Sequence, residues 1–414
     1  MQTFWHNLPK PFFVLAPMEQ VTDVVFRHVI KKAGAPDIFY TEFANATGWV
    51  HAGSKGIGGR LIKTDDEHPI VAQIWGGQPG DLEQFAKHCA ALGFDGIDIN
   101  MGCPAKSAVK SGGAALIRQP SLATQAIAAA KSAGLPVSVK TRLGYSHIDE
   151  WQGWLTHLLQ QDIATLTIHL RTKKEMSKVP AHWDLIPEIK ALRDQIAPHT
   201  LLVINGDIKN RTEGEALAAQ YGVDGIMIGR GVFTDPFAFG KNNEWGIRNG
   251  VKNSDMHQAG DPEGGASAET KSIDFGKDGT NSGAGHVPRP HEPASQAQLD
   301  GDIVLQAAHR QSSPAYSYLR TEGTTASADD DRSVEKQQQH KHKLISLLHY
   351  HLDLYDKYAP ETGRPYETLK RFFKIYIRDF DGASDLREKL MHTKNTTEAR
   401  QVLQNITLYD IMKR

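Results

Sequence analysis

A chain of 414 residues, 40% hydrophobic, 23% charged and with a net charge of −1, has material for a barrel of about 250 residues plus a smaller domain. No apolar run approaches the roughly 18 residues of a membrane span, and the apolar stretch 12–18, stopped by Pro17, lacks the cleavage site of a secretory signal. Two cysteines exclude a disulfide scaffold and a cysteine-based zinc finger, so a cytoplasmic enzyme is the expectation.

In chain order, eight short apolar runs read as strands: 12–16, 38–43, 70–75, 96–100, 137–141, 165–169, 201–204 and 225–228. Near-continuous Val, Ile and Leu is the composition of strands buried on both faces. Helical patterns lie between most of them, including 81–92, 122–133, 186–195 and 212–220. Gly93, Gly134 and Gly222 stand just past the last apolar turn, where a helix ends most easily on glycine. Eight strands alternating with helices predict an α/β fold, a TIM (β/α)8 barrel over residues 1–241; an open doubly wound sheet is the alternative topology.

The charge is unevenly laid out. Residues 1–241 hold 24 Lys+Arg against 23 Asp+Glu, residues 242–335 hold 8 against 15, and residues 336–414 hold 15 against 10. The middle stretch has 26 Gly, Pro and Ser but only 11 Leu, Ile, Val and Phe among 94 residues. That is too little apolar surface to offset the entropy of ordering, so 242–335 reads as a flexible acidic linker or insertion. Helical periodicity returns from Ser333. Leu344, Leu347, Leu348, His351, Leu352 and Tyr355 make one stripe, and Leu369, Phe372, Phe373, Tyr376 and Ile377 another. With 386–391 and 399–406 these predict a small C-terminal helical bundle over 336–414. Lys370, Arg371, Lys374 and Arg378 are spaced to form a basic stripe on one helix, opposite its aromatic side.

In a β/α barrel the chemistry sits at the C-terminal ends of the strands, and seven of the eight expected strands end in polar groups there. The first runs into Pro17, Met18 and Glu19, the third ends near Gln73, and the fourth leads through Asn100 to Cys103 and Lys106. The fifth ends in Lys140-Thr141-Arg142, the sixth in His169-Leu170-Arg171-Thr172, the seventh in Asn205-Gly206-Asp207 and the eighth in Gly229-Arg230-Gly231. The last two combine small residues with a guanidinium, as a phosphate cradle requires. Cys103, on a turn before Pro104, can be a general acid, because an ordinary thiol titrates at about 8.5; as a nucleophile it would need a neighbouring cation. Cys89, inside a helical pattern, reads as a small buried hydrophobe. Lys140 and His169 beside the cradle favour an anionic or electron-accepting ring. The tail histidines do not face one way, so no metal site is expected. Gly56-Ile57-Gly58-Gly59 follows no strand and is not a dinucleotide fingerprint.

Together these motifs resemble the tRNA-dihydrouridine synthases, flavin enzymes that reduce selected uridines in tRNA. The resemblance covers about 11–241 and again about 336–405. It is carried by Leu15-Ala16-Pro17-Met18 with Val21-Thr22-Asp23 and Phe26-Arg27, and by Asn100-Met101-Gly102-Cys103-Pro104 with Gly113-Ala114-Ala115-Leu116. His169-Leu170-Arg171-Thr172, Asn205-Gly206-Asp207 and Gly229-Arg230 follow in family order. It implies an FMN-binding barrel and a helical tRNA-binding tail. Pro17, Met18 and Glu19 would line the flavin, Gln73 would hydrogen-bond its ring, Lys140 would face its pyrimidine side and His169 would support it. Asn205, Gly206, Asp207, Gly229 and Arg230 would hold its phosphate. Asn100 would orient the target uracil, with Lys106 and Arg171 adding contacts to the RNA substrate. The implied reaction passes a hydride from FMN to uracil C6 and a proton from Cys103 to C5. NADPH (or NADH) is the implied reductant, using the flavin in turn with the uridine, since no separate nicotinamide domain is evident. A monomer with no membrane or metal partner is expected. The alternatives are an FMN barrel acting on a free pyrimidine, of dihydroorotate or dihydropyrimidine dehydrogenase type, and an inactive RNA-binding relative.

Overall fold

The computed structural model describes residues 3–240 and 328–412. Strands β1 (Phe12–Leu15), β2 (Phe39–Tyr40), β3 (Ala44–Asn45), β4 (Ile70–Trp75), β5 (Gly96–Asn100), β6 (Val137–Arg142), β7 (Thr165–His169), β8 (Leu201–Asn205) and β9 (Gly225–Ile228) form one sheet. All its ladders are parallel, in the order β1-β9-β8-β7-β6-β5-β4-β2, with β3 also on β4. The ring closes where Val14 bridges Ile38, just ahead of β2. This is the TIM barrel that the alternation of strands and helices predicts, and the open sheet is set aside.

One expected strand, 38–43, is cut down to β2, and pairing resumes only beyond its expected end, at β3. Between β2 and β3 the hydroxyl of Thr41 accepts from the backbone N–H of Gln73 (3.0 Å) and donates to the carbonyl of Glu42 (2.9 Å). A side chain thus occupies a place in the ladder, and the backbone bulges at Thr41–Glu42.

The surrounding helices follow from their apolar spacing. Pro79 and Pro120 open the helices Pro79–Ala91 and Pro120–Lys131 at the first turn, where the missing N–H has no intrahelical partner to lose. Leu82, Phe85, Ala86 and Cys89 bury one face of the first, and filling that face stabilises the barrel by roughly 1.5–3 kcal/mol for each large side chain. Gly93, Gly134 and Gly222 all have positive φ (72°, 75° and 66°), as the sequence predicts for residues that end helices.

The tail shares the barrel's core. Helix Ala328–Thr362 begins inside the stretch 242–335 read as a linker; residues 242–327 of that stretch lie outside the described residues. It packs along helix Val24–Gly34. Leu347, Leu348 and Leu352 belong to the same buried cluster as the barrel strands. Phe26 of the barrel meets Phe372 at 5.0 Å and His351 at 6.2 Å between ring centroids. Short helices Glu367–Lys370 and Phe373–Tyr376, then Ala383–Met391 and Thr396–Met412, complete the bundle.

The basic stripe is corrected. Its residues fall on two short helices and beyond, because Leu369, Phe372, Phe373, Tyr376 and Ile377 all turn inward and are buried. Arg371 reaches Gln20 of the barrel (3.1 Å), and Arg378 donates to the carbonyl of Thr234 (2.6 Å). Lys370 pairs with Glu367 (2.9 Å). Two of the four cations therefore fasten the tail to the barrel.

Candidate active site

Residues facing one another across a parallel ladder point to the same side of the sheet, and every second residue repeats that side. The registers stack the inward side chains in tiers: Gln73, Asp98, Ser138 and Thr165; then Asn100, Lys140 and Thr167; then Arg142, His169 and Asn205. The barrel interior is therefore polar toward its C-terminal end. Among the described residues, the hydroxyls of Thr165 and Thr167 are buried with no hydrogen-bond partner. Hydroxyls left open under a ring of charged groups fit an interior that receives a polar ligand or water.

The loop after β5 carries Cys103, a thiol in no disulfide and partly exposed. Its backbone is clamped from both sides. The Cys103 N–H donates to Asn100 Oδ1 (2.9 Å), and the Cys103 carbonyl accepts from Ala114 N–H (3.0 Å). Gly113 has φ 55°, and a Cβ there would lie 3.0 Å from the Cys103 carbonyl and 3.1 Å from Ala108 Cβ, so only glycine lets this return run so close. Asn100 is itself held: its Nδ2 donates to Gln73 Oε1 (3.0 Å), and Gln73 Nε2 donates to Asp98 Oδ2 (2.7 Å).

Lys140 and Arg142 flank this loop. Burial brings the Lys140 ammonium down to about 8, assisted by Arg142 and opposed by Asp98 and Cys103. Burial lowers Arg142 to about 10, again opposed by Cys103. Arg142 donates to the carbonyls of Gly102 (2.8 Å), Thr172 (3.1 Å) and Met176 (2.9 Å), tying the Cys103 loop to the loop after β7. Sequence reasoning assigned Arg142 no role; period two from Lys140 was the signal that places it on the same inward face.

The corner at β7, β8 and β9 is built on Asp207, held at φ 58°. Its carboxylate accepts from Arg171, from Arg230 (2.9 Å) and from the N–H of Ala181 (2.9 Å). An anion cannot bind a carboxylate, so the side chain of Asp207 orients two guanidiniums while the backbone and Arg230 remain to meet a phosphate. Gly206, at φ 130°, runs so close to the loop after β7 that a Cβ would lie 3.0 Å from Ala181 Cβ, with the His169 ring in contact beyond it. A Cβ at Gly229 would lie 3.4 Å from Ala16 Cβ and 3.9 Å from Met18 Sδ, so glycine keeps the gap between the β1 and β9 loops open. Asn205 Nδ2 donates to the Met227 carbonyl (2.8 Å), locking β8 to β9.

His169 is a neutral imidazole, its pKa pushed well below the ordinary value by burial and by Arg142, Lys140, Arg171 and Arg230. Its Nε2 lies 3.2 Å from Arg171 Nη1. Arginine only donates, so Nε2 accepts and the ring proton sits on Nδ1. Arg171 departs from the expected contact with substrate. Its side chain is 1% exposed and bonds Val179, His169 and Asp207, which places it inside the corner built on Asp207.

The loop after β1 is braced by Thr22, whose hydroxyl accepts from Met18 N–H (2.9 Å) and donates to the Met18 carbonyl (3.2 Å). Pro17, Met18 and Glu19 thus lie at the mouth, with the Glu19 carboxylate turned toward Arg60. Lys106 is exposed on the short helix Lys106–Val109 beyond Cys103. Cys89 is buried and pushed up to about 12 by that burial, as a packing residue should be. Among the described residues no group of three or more His, Cys, Asp or Glu is arranged to hold a metal, and no helix is long and apolar enough to cross a membrane.

A family model for dihydrouridine synthase matches residues 14–258. The chain is 46% identical over 404 residues to a protein of Bacillus subtilis (strain 168) named probable tRNA-dihydrouridine synthase 2, covering 97% of this chain and 96% of that one. It is 43% identical over 404 residues to a probable tRNA-dihydrouridine synthase of Staphylococcus epidermidis, covering 97% of this chain and 95% of that one.

Proposed function

The chain belongs to the dihydrouridine synthase family, and from that premise we propose that it reduces the C5=C6 bond of uridines in tRNA, with FMN as its flavin and NADPH (or NADH) as reductant. The observation that carries this reading is Cys103 at the barrel mouth, its backbone fixed by Asn100 and its loop flanked by Lys140 and Arg142. Residues present fit a flavin: a glycine at 229 whose missing side chain leaves space against Ala16 and Met18, an Arg230 guanidinium aimed by Asp207, and a buried Thr167 hydroxyl with no partner among the described residues.

Bound flavin supplies the hydride that reaches C6 of the pyrimidine. Cys103 supplies the other hydrogen: its thiol proton passes to C5, so that the double bond becomes two C–H bonds and a thiolate remains, to be reprotonated from solvent. Lys140 and Arg142 stabilise that thiolate by charge. Among the described residues Asn100 Nδ2 has Gln73 as acceptor for one N–H, and its other N–H would orient the uracil. Arg230 and the N–H groups around Gly206 and Gly229 would hold the flavin phosphate, Lys140 the pyrimidine side of its ring, and the Nδ1–H of His169 would donate to it.

A stacked uridine must leave its helix to reach this mouth, at a cost of a few kcal/mol that phosphate contacts offset. Lys106 on the rim and Lys389 and Lys394 on the tail are exposed and would make them. The tail is fastened to the barrel by Arg371 and Arg378, so RNA would be held at a fixed angle to the mouth.

The test compares dihydrouridine at each position of tRNA from cells with and without this protein, and repeats it with Cys103→Ala. The variant should keep its flavin absorbance and lose turnover by about 10²–10⁴-fold, the range for removal of a general acid. Full turnover by the variant removes Cys103 from its role. Turnover on free nucleosides without tRNA would instead indicate a free-pyrimidine enzyme.

A further inference from the structure

We propose that Asp98, buried beneath the mouth, is a positioning residue of this reaction: it fixes the orientation of two side-chain amides in series and through them the place of Cys103. The inference rests on the proposed role of Cys103. The chain of contacts starts at Ser138, whose hydroxyl donates to Asp98 Oδ1 (2.6 Å). Gln73 Nε2 donates to Asp98 Oδ2 (2.7 Å), Asn100 Nδ2 donates to Gln73 Oε1 (3.0 Å), and Asn100 Oδ1 accepts from the N–H groups of Gly102 (3.1 Å) and Cys103 (2.9 Å). Asp98, Ser138 and Gln73 are fully buried and Asn100 nearly so, leaving bulk water no role as a substitute partner.

An amide has an oxygen and a nitrogen of nearly equal size, and only its neighbours decide which way round it lies. Here neither end of the chain can reverse. A carboxylate only accepts, and a backbone N–H only donates. Were Gln73 flipped, its oxygen would face the Asp98 carboxylate and its NH2 the NH2 of Asn100. Were Asn100 flipped as well, its NH2 would face two backbone N–H groups. One arrangement satisfies every member, and it seats the Cys103 backbone. Burial raises Asp98 to about 6 while Ser138, Gln73 and Lys140 oppose the rise, so the carboxylate form prevails at neutral pH.

The test uses the full chain with flavin bound. Asp98→Leu removes the acceptor at similar size. Asp98→Asn removes the charge yet keeps an oxygen for Gln73 and offers its NH2 to Ser138. Thermal melting and flavin absorbance report folding; kcat and KM on a tRNA transcript are read separately; alkylation by iodoacetamide reports Cys103, since Cys89 is buried and its thiol pushed up to about 12. Asp98→Leu should lower kcat by about 10- to 100-fold, as a misplaced reacting group does, with an altered Cys103 alkylation rate and KM for tRNA unchanged. Asp98→Asn should stay close to wild type in all three. Wild-type kcat and alkylation in Asp98→Leu overturn the relay while leaving the functional reading intact; a wild-type protein that makes no dihydrouridine overturns both. Should Asp98→Leu fail to fold, Asp98→Asn decides. Near-wild-type turnover supports the relay, and a folded, flavin-loaded Asp98→Asn that has lost about 100-fold overturns it, because the charge would then be what the site uses.

Discussion

Lys140 is a cation whose charge is conditional. Burial and Arg142 bring its pKa down to about 8 against the opposing pull of Asp98 and Cys103, so the ammonium is present below that pH and lost above it. If it faces the electron-rich side of the flavin, binding above pH 8 must first return a proton to Lys140. FMN affinity should then hold steady below pH 8 and fall by about a decade per pH unit above it. Lys140→Met should bind FMN more weakly at pH 7, by about 1.5–3 kcal/mol, the worth of a hydrogen bond to a charged group, and should lose the pH dependence. Fluorescence titration of FMN across pH 6–10 reads both; a wild-type curve without the alkaline decline would remove Lys140 from contact with the flavin. At this scale the sequence was legible for position: it puts Cys103 on a turn before a proline, and the structure has it partly exposed on the loop after β5. It was illegible where the meaning is a partner far along the chain. Asp98 and Arg142 sit among strand residues, and their contacts are with Gln73, 25 positions away, and Gly102, 40 positions away.

The turn after β8 shows what one element gains from a single carboxylate. Asp207 holds a left-handed conformation at φ 58° and neutralises Arg171, whose side chain is 1% exposed. Asp207→Ala would leave a buried guanidinium without its anion, and stability should fall by about 3 kcal/mol, at the lower end of what breaking a buried pair costs. Asp207→Asn, which tolerates the left-handed turn and keeps an acceptor, should fall by less. Denaturant unfolding of the two variants measures this, and equal losses would show that the negative charge, which both variants lack, carries the whole effect, with nothing added by the turn or by the remaining acceptor. Elements of this barrel were readable where apolar or β-branched residues recur at least at every second position, as in β4, β5, β7 and β9, whose bounds match the sequence reading. Thr41 defeated it, because a threonine hydroxyl that replaces a backbone acceptor carries no pattern of its own. Arg371 and Arg378 defeated it too: their helical spacing suggested one basic stripe opposite an aromatic side, while tertiary packing broke the helix and turned both toward the barrel.

Across the whole molecule, barrel and tail are joined by an electrostatic cluster at the mouth as well as by the aromatic layer around Phe26. Arg364 of the tail pairs with Glu42, which is fully buried, and with Asp23 (3.2 Å); Arg60 pairs with Glu19. Three carboxylates thus share two guanidiniums. Burial raises Asp23 and Glu19 above the usual carboxylate range, Glu42 raises both further, and Arg364 pulls both down. A carboxylate whose folded pKa is raised favours the folded state at low pH and loses that contribution as pH rises through the raised value. Removing Arg364 raises Asp23 further, so the penalty should be largest at neutral pH and shrink in mild acid. Arg364→Gln is expected to destabilise the protein by about 3–5 kcal/mol at pH 7, the range for stripping one partner from a buried pair. At pH 5 the loss should be smaller, because a protonated carboxyl no longer needs the missing charge. Thermal midpoints of wild type and variant at both values test it. A deficit of the same size at pH 5 and pH 7 would mean that Arg364 holds the tail by packing, with the buried carboxylates balanced by other groups.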